Sequence, residues 1–325
     1  MTSLRRSLPA LGLAAASALL LAGCGGTAPD AEADGRITVV ASTNVYGQLA
    51  EQIGGDLVDV TSIVDKASQD PHSFEPSARD QLVVSKADLV IENGGGYDAF
   101  VDALIESSGS DAPVVTAVEY SHDWPDNEGH SDDAAEAEDH AHDHGDHEHV
   151  EGFNEHVWYD PHTIAHVAEA IAHELGELSP ENAATFTANA EAFGAEVEGL
   201  EASLDEIAAS HAGEKVFVTE PVPVYLIEAA GLENATPEAF SEAVEEGQDV
   251  APATLLESLA LLRDGGVSVV ITNVQTGGAE TQEIVDAADG RGIPVIAFSE
   301  TLPKGETYIS WMQANIEALS AALDA

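Results

Sequence analysis

Two sets of residues in this 325-residue chain could hold a metal ion. Seven of the thirteen histidines, His122, His130, His140, His142, His144, His147 and His149, fall between Ser121 and Glu151, interleaved with Asp and Glu. Imidazole nitrogen and carboxylate oxygen both ligate divalent first-row metals, and a His-rich tract is a compositional sign of that chemistry. The tract has no apolar periodicity and cannot build a core, so it reads as an acidic loop. The second set is spread over four short segments: DPHSFEP (70–76), HVWYDP (156–161), TEP (219–221) and FSET (298–301). Each lies at the carboxyl end of an expected strand or in the loop after it, where open α/β sheets bind ligands. Together they offer His72, His156, Glu220 and Glu300, two from each half of the chain. Two imidazoles and two carboxylates could close round one divalent cation in a cleft.

The elements that must position these residues alternate. Apolar, β-branched runs at Ile37–Ala41, Val58–Val64, Asp88–Glu92 and Pro113–Val118 are expected strands, with helical spacing at 44–53, 77–87 and 97–107. Gly94–Gly96 lacks both a G-x-G-x-x-G pattern and the lysine of a phosphate-binding loop, so it reads as a turn. After the His-rich tract, Pro161–Leu175 is helical, with Asp160 placed to cap it and Pro161 at its first position. A further helix is expected from Ser179 to about Ser210, a rod of roughly 45 Å with no heptad pattern, acting as a stiff connector. The second half repeats the alternation, with strands at 215–219, 267–272 and 294–298 and helices at 222–230, 252–263 and 281–290. Alternating strands and helices predict parallel sheets covered by helices, an α/β fold. Segments 75–96 and 251–278 share the order Pro, helix, strand, Asn, Gly-rich turn, an echo that fits two similar lobes or simply the repeating α/β unit.

Arg5 and Arg6 precede an apolar stretch ending in Leu-Ala-Gly-Cys, the pattern of a secretory signal too short to span a bilayer. That tetrapeptide resembles the bacterial lipobox and would make Cys24, the single cysteine, a lipid anchor, leaving N and O donors for any metal. The expected organisation is a signal peptide (1–23), a lipidated tether (24–36), an N-terminal lobe (37–176, with the loop 121–151), a linking helix (177–211) and a C-terminal lobe (212–325). Ten Lys and Arg against sixty Asp and Glu give a formal charge of −50, which excludes nucleic acid as a partner.

The stretches ASTNVYGQLAEQIGG, DPHSFEPSARD, VWYDPH, TEPVPVYLIEAAGL and GETYISWMQANIEAL resemble the zinc/manganese-type solute-binding lipoproteins of bacterial metal-ion ABC transporters, from Ile37 to the C-terminus. The resemblance implies two (β/α) lobes joined by a long rigid helix, with His72, His156, Glu220 and Glu300 as first to fourth ligands in the inter-lobe cleft. It further implies a monomeric carrier on the outer face of the cell membrane, passing one divalent ion to a permease with a cytoplasmic ATPase. Zinc-type relatives commonly carry histidine where this chain has Glu220, which favours manganese or iron. The His-rich insertion is typical of zinc members and outweighs it, so Zn2+ is expected over Mn2+. Affinity should fall towards and below about pH 6, where free imidazole gains its proton.

Other readings compete for the same residues. A metal-dependent enzyme would need an open coordination position, which four protein ligands deny to zinc. A surface adhesin has no positive motif. His162 and His166 share one helical face without the glutamate of a metalloprotease and read as helix surface. His173 and His211 read as surface residues, and Trp124, Trp158 and Trp311 as packing residues. Glu75 could either support a ligand histidine or sit at a helix N-terminus.

Overall fold

The computed structural model describes residues 35–127, 150 and 152–325. The expected signal segment, Cys24, the tether as far as residue 34, and His130, His140, His142, His144, His147 and His149 lie outside the described residues.

β1 (Ile37–Thr43), β2 (Val58–Val64), β3 (Leu89–Glu92) and β4 (Val114–Thr116) form one parallel sheet in the order β2-β1-β3-β4. β5 (Lys215–Val218), β6 (Glu233–Asn234), β7 (Val269–Asn273) and β8 (Val295–Phe298) form a second, also parallel, in the order β6-β5-β7-β8. The two orders are the same topology, so the sequence echo reflects two lobes built alike. All four β3 residues are buried, as are six of the seven in β1, because helices cover both faces of a parallel sheet. In each lobe the chain leaves the first strand in one direction and returns to its other side, making a switch point at the carboxyl ends of the strands.

The first lobe carries α1 (Asn44–Gly54), α2 (Ala78–Val84), α3 (Phe100–Ser108) and α4 (Pro161–Leu178). After α5 (Ala183–His211), the second carries α6 (Val224–Ala229), α7 (Glu238–Glu245), α8 (Pro252–Arg263) and α9 (Ala279–Asp289), followed by α10 (Tyr308–Leu323). β6, α7 and α10 were not among the expected elements. Asp160 caps α4 as expected, accepting the His162 N–H at 3.1 Å with Pro161 in the first turn.

α5 is the expected long linking helix, with a later start and a packed face. It begins at Ala183 rather than Ser179, because α4 runs on to Leu178 and the intervening residues turn the chain. Its buried residues, Phe186, Ala190, Phe193, Val197, Leu200, Leu204 and Ile207, recur every three or four positions. That stripe is diluted in the sequence by Ala, Gly and Thr, and it packs along α1, α4, α6 and α10 instead of a coiled-coil partner. One apolar cluster therefore runs through both lobes, from Val39 and Leu49 through Phe193 to Val218 and Trp311.

α10 makes a second tie back to the first lobe. Tyr308 Oη donates to the Trp158 carbonyl at 2.9 Å, and Tyr308 N–H donates to Gln48 Oε1 at 2.9 Å. Just before it, Asn44 exchanges two hydrogen bonds with the Leu302 backbone, at 2.8 and 2.9 Å. Among the described residues, no helix is long and apolar enough to cross a membrane.

Candidate metal centre

His72 stands in the loop after β2. Asp70 shapes this loop as an Asx turn: its Oδ1 accepts the His72 N–H at 3.0 Å and its Oδ2 accepts the Ser73 hydroxyl at 2.7 Å. A capping box between Ser77 and Asp80 then starts α2, fixing the far end of the loop. The turn after β3 supplies a wall. Gly94, Gly95 and Gly96 all have positive φ, and a Cβ on Gly94 would come within 2.5 Å of Thr116 Cγ2. The turn delivers Tyr97, whose ring meets His72 edge-on with centroids 4.7 Å apart.

His156 is fully buried, at the start of the short turn Val157–Tyr159 that runs into the capped end of α4. Asn154 Nδ2 donates to the Pro221 carbonyl at 3.1 Å, so its Oδ1 is the atom that faces His156 Nδ1, at 2.8 Å. An amide oxygen only accepts, which puts the imidazole proton on Nδ1 and leaves Nε2 as the donor atom for a cation. Tyr225 Oη holds the Asn154 carbonyl at 2.8 Å, so the second lobe orients a histidine of the first. Trp158 packs on His156 with centroids 5.1 Å apart and serves both core and site.

The second lobe brings buried carboxylates. Asn273, at the end of β7, donates its amide to Glu220 Oε2 at 3.0 Å and to Glu300 Oε1 at 2.5 Å. Thr276 Oγ1 donates to Glu220 Oε1, Tyr97 Oη donates to Glu300 Oε2 at 3.3 Å, and Gln275 Oε1 accepts the Glu300 N–H at 2.7 Å. From the C-terminal end of α7, Glu245 brings Oε1 to 3.6 Å from His156 Nε2.

Two sets of donor atoms converge among the described residues: His72 with His156 and Glu245, and Asp70 with His72 and Glu300. Within each set the atoms lie within 4.8 Å of one another, and His72 belongs to both. The electrostatics favour a cation at this centre. Burial, then the nearby Glu155, Glu220 and Glu300 carboxyls, push Glu245 up to about 9. Burial raises Glu300 to about 7, against the pull of Asn273 and with a further push from Glu220. Glu220 is raised by burial as well, although Thr276 and Asn273 hold its charged form. A divalent cation among these groups would offset their mutual repulsion, and imidazole with carboxylate is the donor chemistry of first-row metals.

Of the expected ligands, His72, His156 and Glu300 fall within these sets. Glu220 lies outside both and is joined to Glu300 through the Asn273 amide. Asp70 and Glu245 are additions. Asp70 lay inside the DPHSFEP motif without being singled out, and Glu245 lay in a run of glutamates on an unexpected helix. No signal in the sequence marked Glu245, because its place one turn after Ser241 matters only once that face of α7 is seen to be buried.

The remaining candidates sit elsewhere. His122 Nδ1 is 3.7 Å from the Asp160 cap, and its ring is 6.4 Å from that of Tyr225. His162 and His166 meet edge-on with centroids 4.9 Å apart on α4, facing Glu201 and Glu169. His173 and Glu75 are exposed. His211 is half-buried, contrary to a surface reading, because Glu214 at 2.9 Å and Asp324 at 3.4 Å clamp it at the end of α5.

Comparisons with known proteins agree with this architecture. The chain is 37% identical over 102 residues to the manganese-binding lipoprotein MntA of Halalkalibacterium halodurans, covering 30% of this chain and 32% of that protein. It is 33% identical over 96 residues to the manganese ABC transporter substrate-binding lipoprotein PsaA of Streptococcus pneumoniae, covering 28% of this chain and 31% of the relative. The matched stretch thus spans about a third of the length of each curated relative. The solved periplasmic zinc-binding protein TroA from Treponema pallidum shares the fold over 89% of this chain and 99% of its own, at 19% identity and a TM-score of 0.70. The model of one family, ZnuA, the periplasmic zinc-uptake complex component A, matches residues 39–322, and the chain belongs to that family.

Proposed function

We propose that this protein captures one divalent transition-metal ion between its lobes, outside the cytoplasm, and passes it to a membrane permease driven by a cytoplasmic ATPase. The observation that carries this reading is the convergence on His72 of two donor sets, His156 with the half-buried Glu245 and Asp70 with the buried Glu300, the two glutamates coming from the opposite lobe. Glu220, which shares the Asn273 amide with Glu300, is the further carboxylate assigned to the ion in this reading. The lipid anchor at Cys24 would keep the carrier at the outer face of the membrane, beside its permease.

Zinc is the cargo favoured first. Two imidazoles suit it, the family is named for zinc uptake, and the His-dense composition of segment 121–151 suits zinc better than manganese. Manganese is the second reading, supported by the count of carboxylates at the centre and by relatives named for manganese. Carriage rather than catalysis follows from the donor count, since four or more protein ligands leave zinc no open position for a reacting water. Calorimetric titration of the metal-free chain with zinc should find one tight equivalent, and His72→Ala should remove it. Retention of that equivalent in the His72→Ala protein would refute the reading.

A further inference from the structure

We infer that Glu245 is itself a ligand to the captured ion and that it biases the site towards cations that accept more than four donors. This deepens the function proposed above and rests on it. The four strand-end motifs contain no residue of α7, and three observations place Glu245 in the centre all the same.

First, Glu245 Oε1 is shielded from solvent and accepts no hydrogen bond among the described residues. The carboxylates of Glu220 and Glu300, by contrast, are each held by amide or hydroxyl donors. A buried carboxylate oxygen without a donor is costly unless something else occupies its lone pairs.

Second, the geometry has the dimensions of a coordination shell. With metal–ligand bonds of about 2.1 Å, neighbouring donors on a tetrahedron are about 3.4 Å apart. Glu245 Oε1 and His156 Nε2 are 3.6 Å apart, and both lie within 4.8 Å of a ring nitrogen of His72. His156 Nδ1 is committed to Asn154, so Nε2 is the atom that can share a cation with Glu245.

Third, the position is set by the fold. Phe240, Ser241 and Val244 are buried on α7, and Glu245, one turn after Ser241 on the same face, brings its carboxyl to the buried His156.

Adding Glu245 to His72, His156, Glu220 and Glu300 gives two nitrogens and three carboxylates. Zinc is satisfied by four donors, whereas manganese takes more and prefers oxygen. Removing the Glu245 charge should therefore cost manganese more than zinc.

The test is competition titration of the full chain and of Glu245→Gln with Mn2+ and with Zn2+, alongside His72→Ala. The expected result is a loss of manganese affinity of about tenfold or more, the scale seen when groups supporting a metal ligand are removed, with a smaller loss for zinc. Glu245→Asp, which keeps the charge on a shorter arm, should fall between and guards against a folding defect in the Gln variant. X-ray absorption on the manganese-loaded proteins should lose one oxygen from the first shell in Glu245→Gln. Unchanged affinities, or equal losses for both metals, would overturn the role assigned to Glu245. Tight binding that survives His72→Ala would instead overturn the proposed function.

Discussion

The chemistry of this site turns on carboxyl groups that the fold holds away from their ordinary ionisation. Glu300 titrates near 7 and Glu245 near 9 in the metal-free fold, both from an ordinary value of 4.5. A carboxyl with a raised pKa contributes stability that is complete below the unfolded value and is lost as pH rises through the folded one. The metal-free protein therefore weakens through about 7 and then about 9 as each group ionises. A bound cation requires the ionised forms, so it stabilises most where the empty fold is weakest. The rise in Tm on adding zinc should thus grow between about pH 5.5 and about pH 8.5. A rise that is constant or shrinks over that window, in thermal scans of matched samples, would count against these carboxyls as ligands. At this scale the sequence was legible where a motif surrounds the residue. DPHSFEP marks His72 and HVWYDP marks His156, because turn and cap residues that fix a side chain leave their own pattern. Glu245 was not legible, since one glutamate among sixty acids carries no mark until the helix face it shares is known.

At the scale of elements, α5 makes the two lobes one mechanical body. Its buried stripe packs along helices from both lobes, and Phe193 meets Tyr308 of α10 at 5.9 Å between centroids. Phe193 is fully buried, so Phe193→Ala should cost about 3–5 kcal/mol of stability. Urea unfolding followed by circular dichroism would measure this, and a cost below about 1 kcal/mol would contradict the placement of α5. Most of the strands were readable, because four- to seven-residue β-branched runs flanked by turns have few other uses. α5 was readable as a helix but not as a packed one, since its apolar residues are spread among alanines and glutamates. α7 and α10 escaped for different reasons: the first is dominated by glutamate, and the second keeps helical spacing in Tyr308, Trp311, Met312, Ile316 and Leu319 but blurs it with Asn315 in the buried stripe and Ala314, Ala318 and Ala321 on the outer face.

At the scale of the whole molecule, a charge of −50 surrounds a centre that itself concentrates acids. Such a field raises the local concentration of cations without choosing among them, and selection falls to the geometry between the lobes. The two crossings, α5 and the path through Leu302 into α10, leave room for small adjustments rather than a wide hinge, because each is packed or hydrogen-bonded to both lobes. On the proposed function, the metal belongs to this inter-lobe centre and not to the histidine-rich segment. Anomalous diffraction at the zinc edge, from zinc-loaded crystals of the chain lacking residues 122–149, tests it most directly. One peak is expected within about 2.0–2.2 Å of ring nitrogens of His72 and His156, with carboxylate oxygen from the second lobe completing the shell. A shortened protein that no longer retains zinc, or that shows its peak away from these residues, would contradict it.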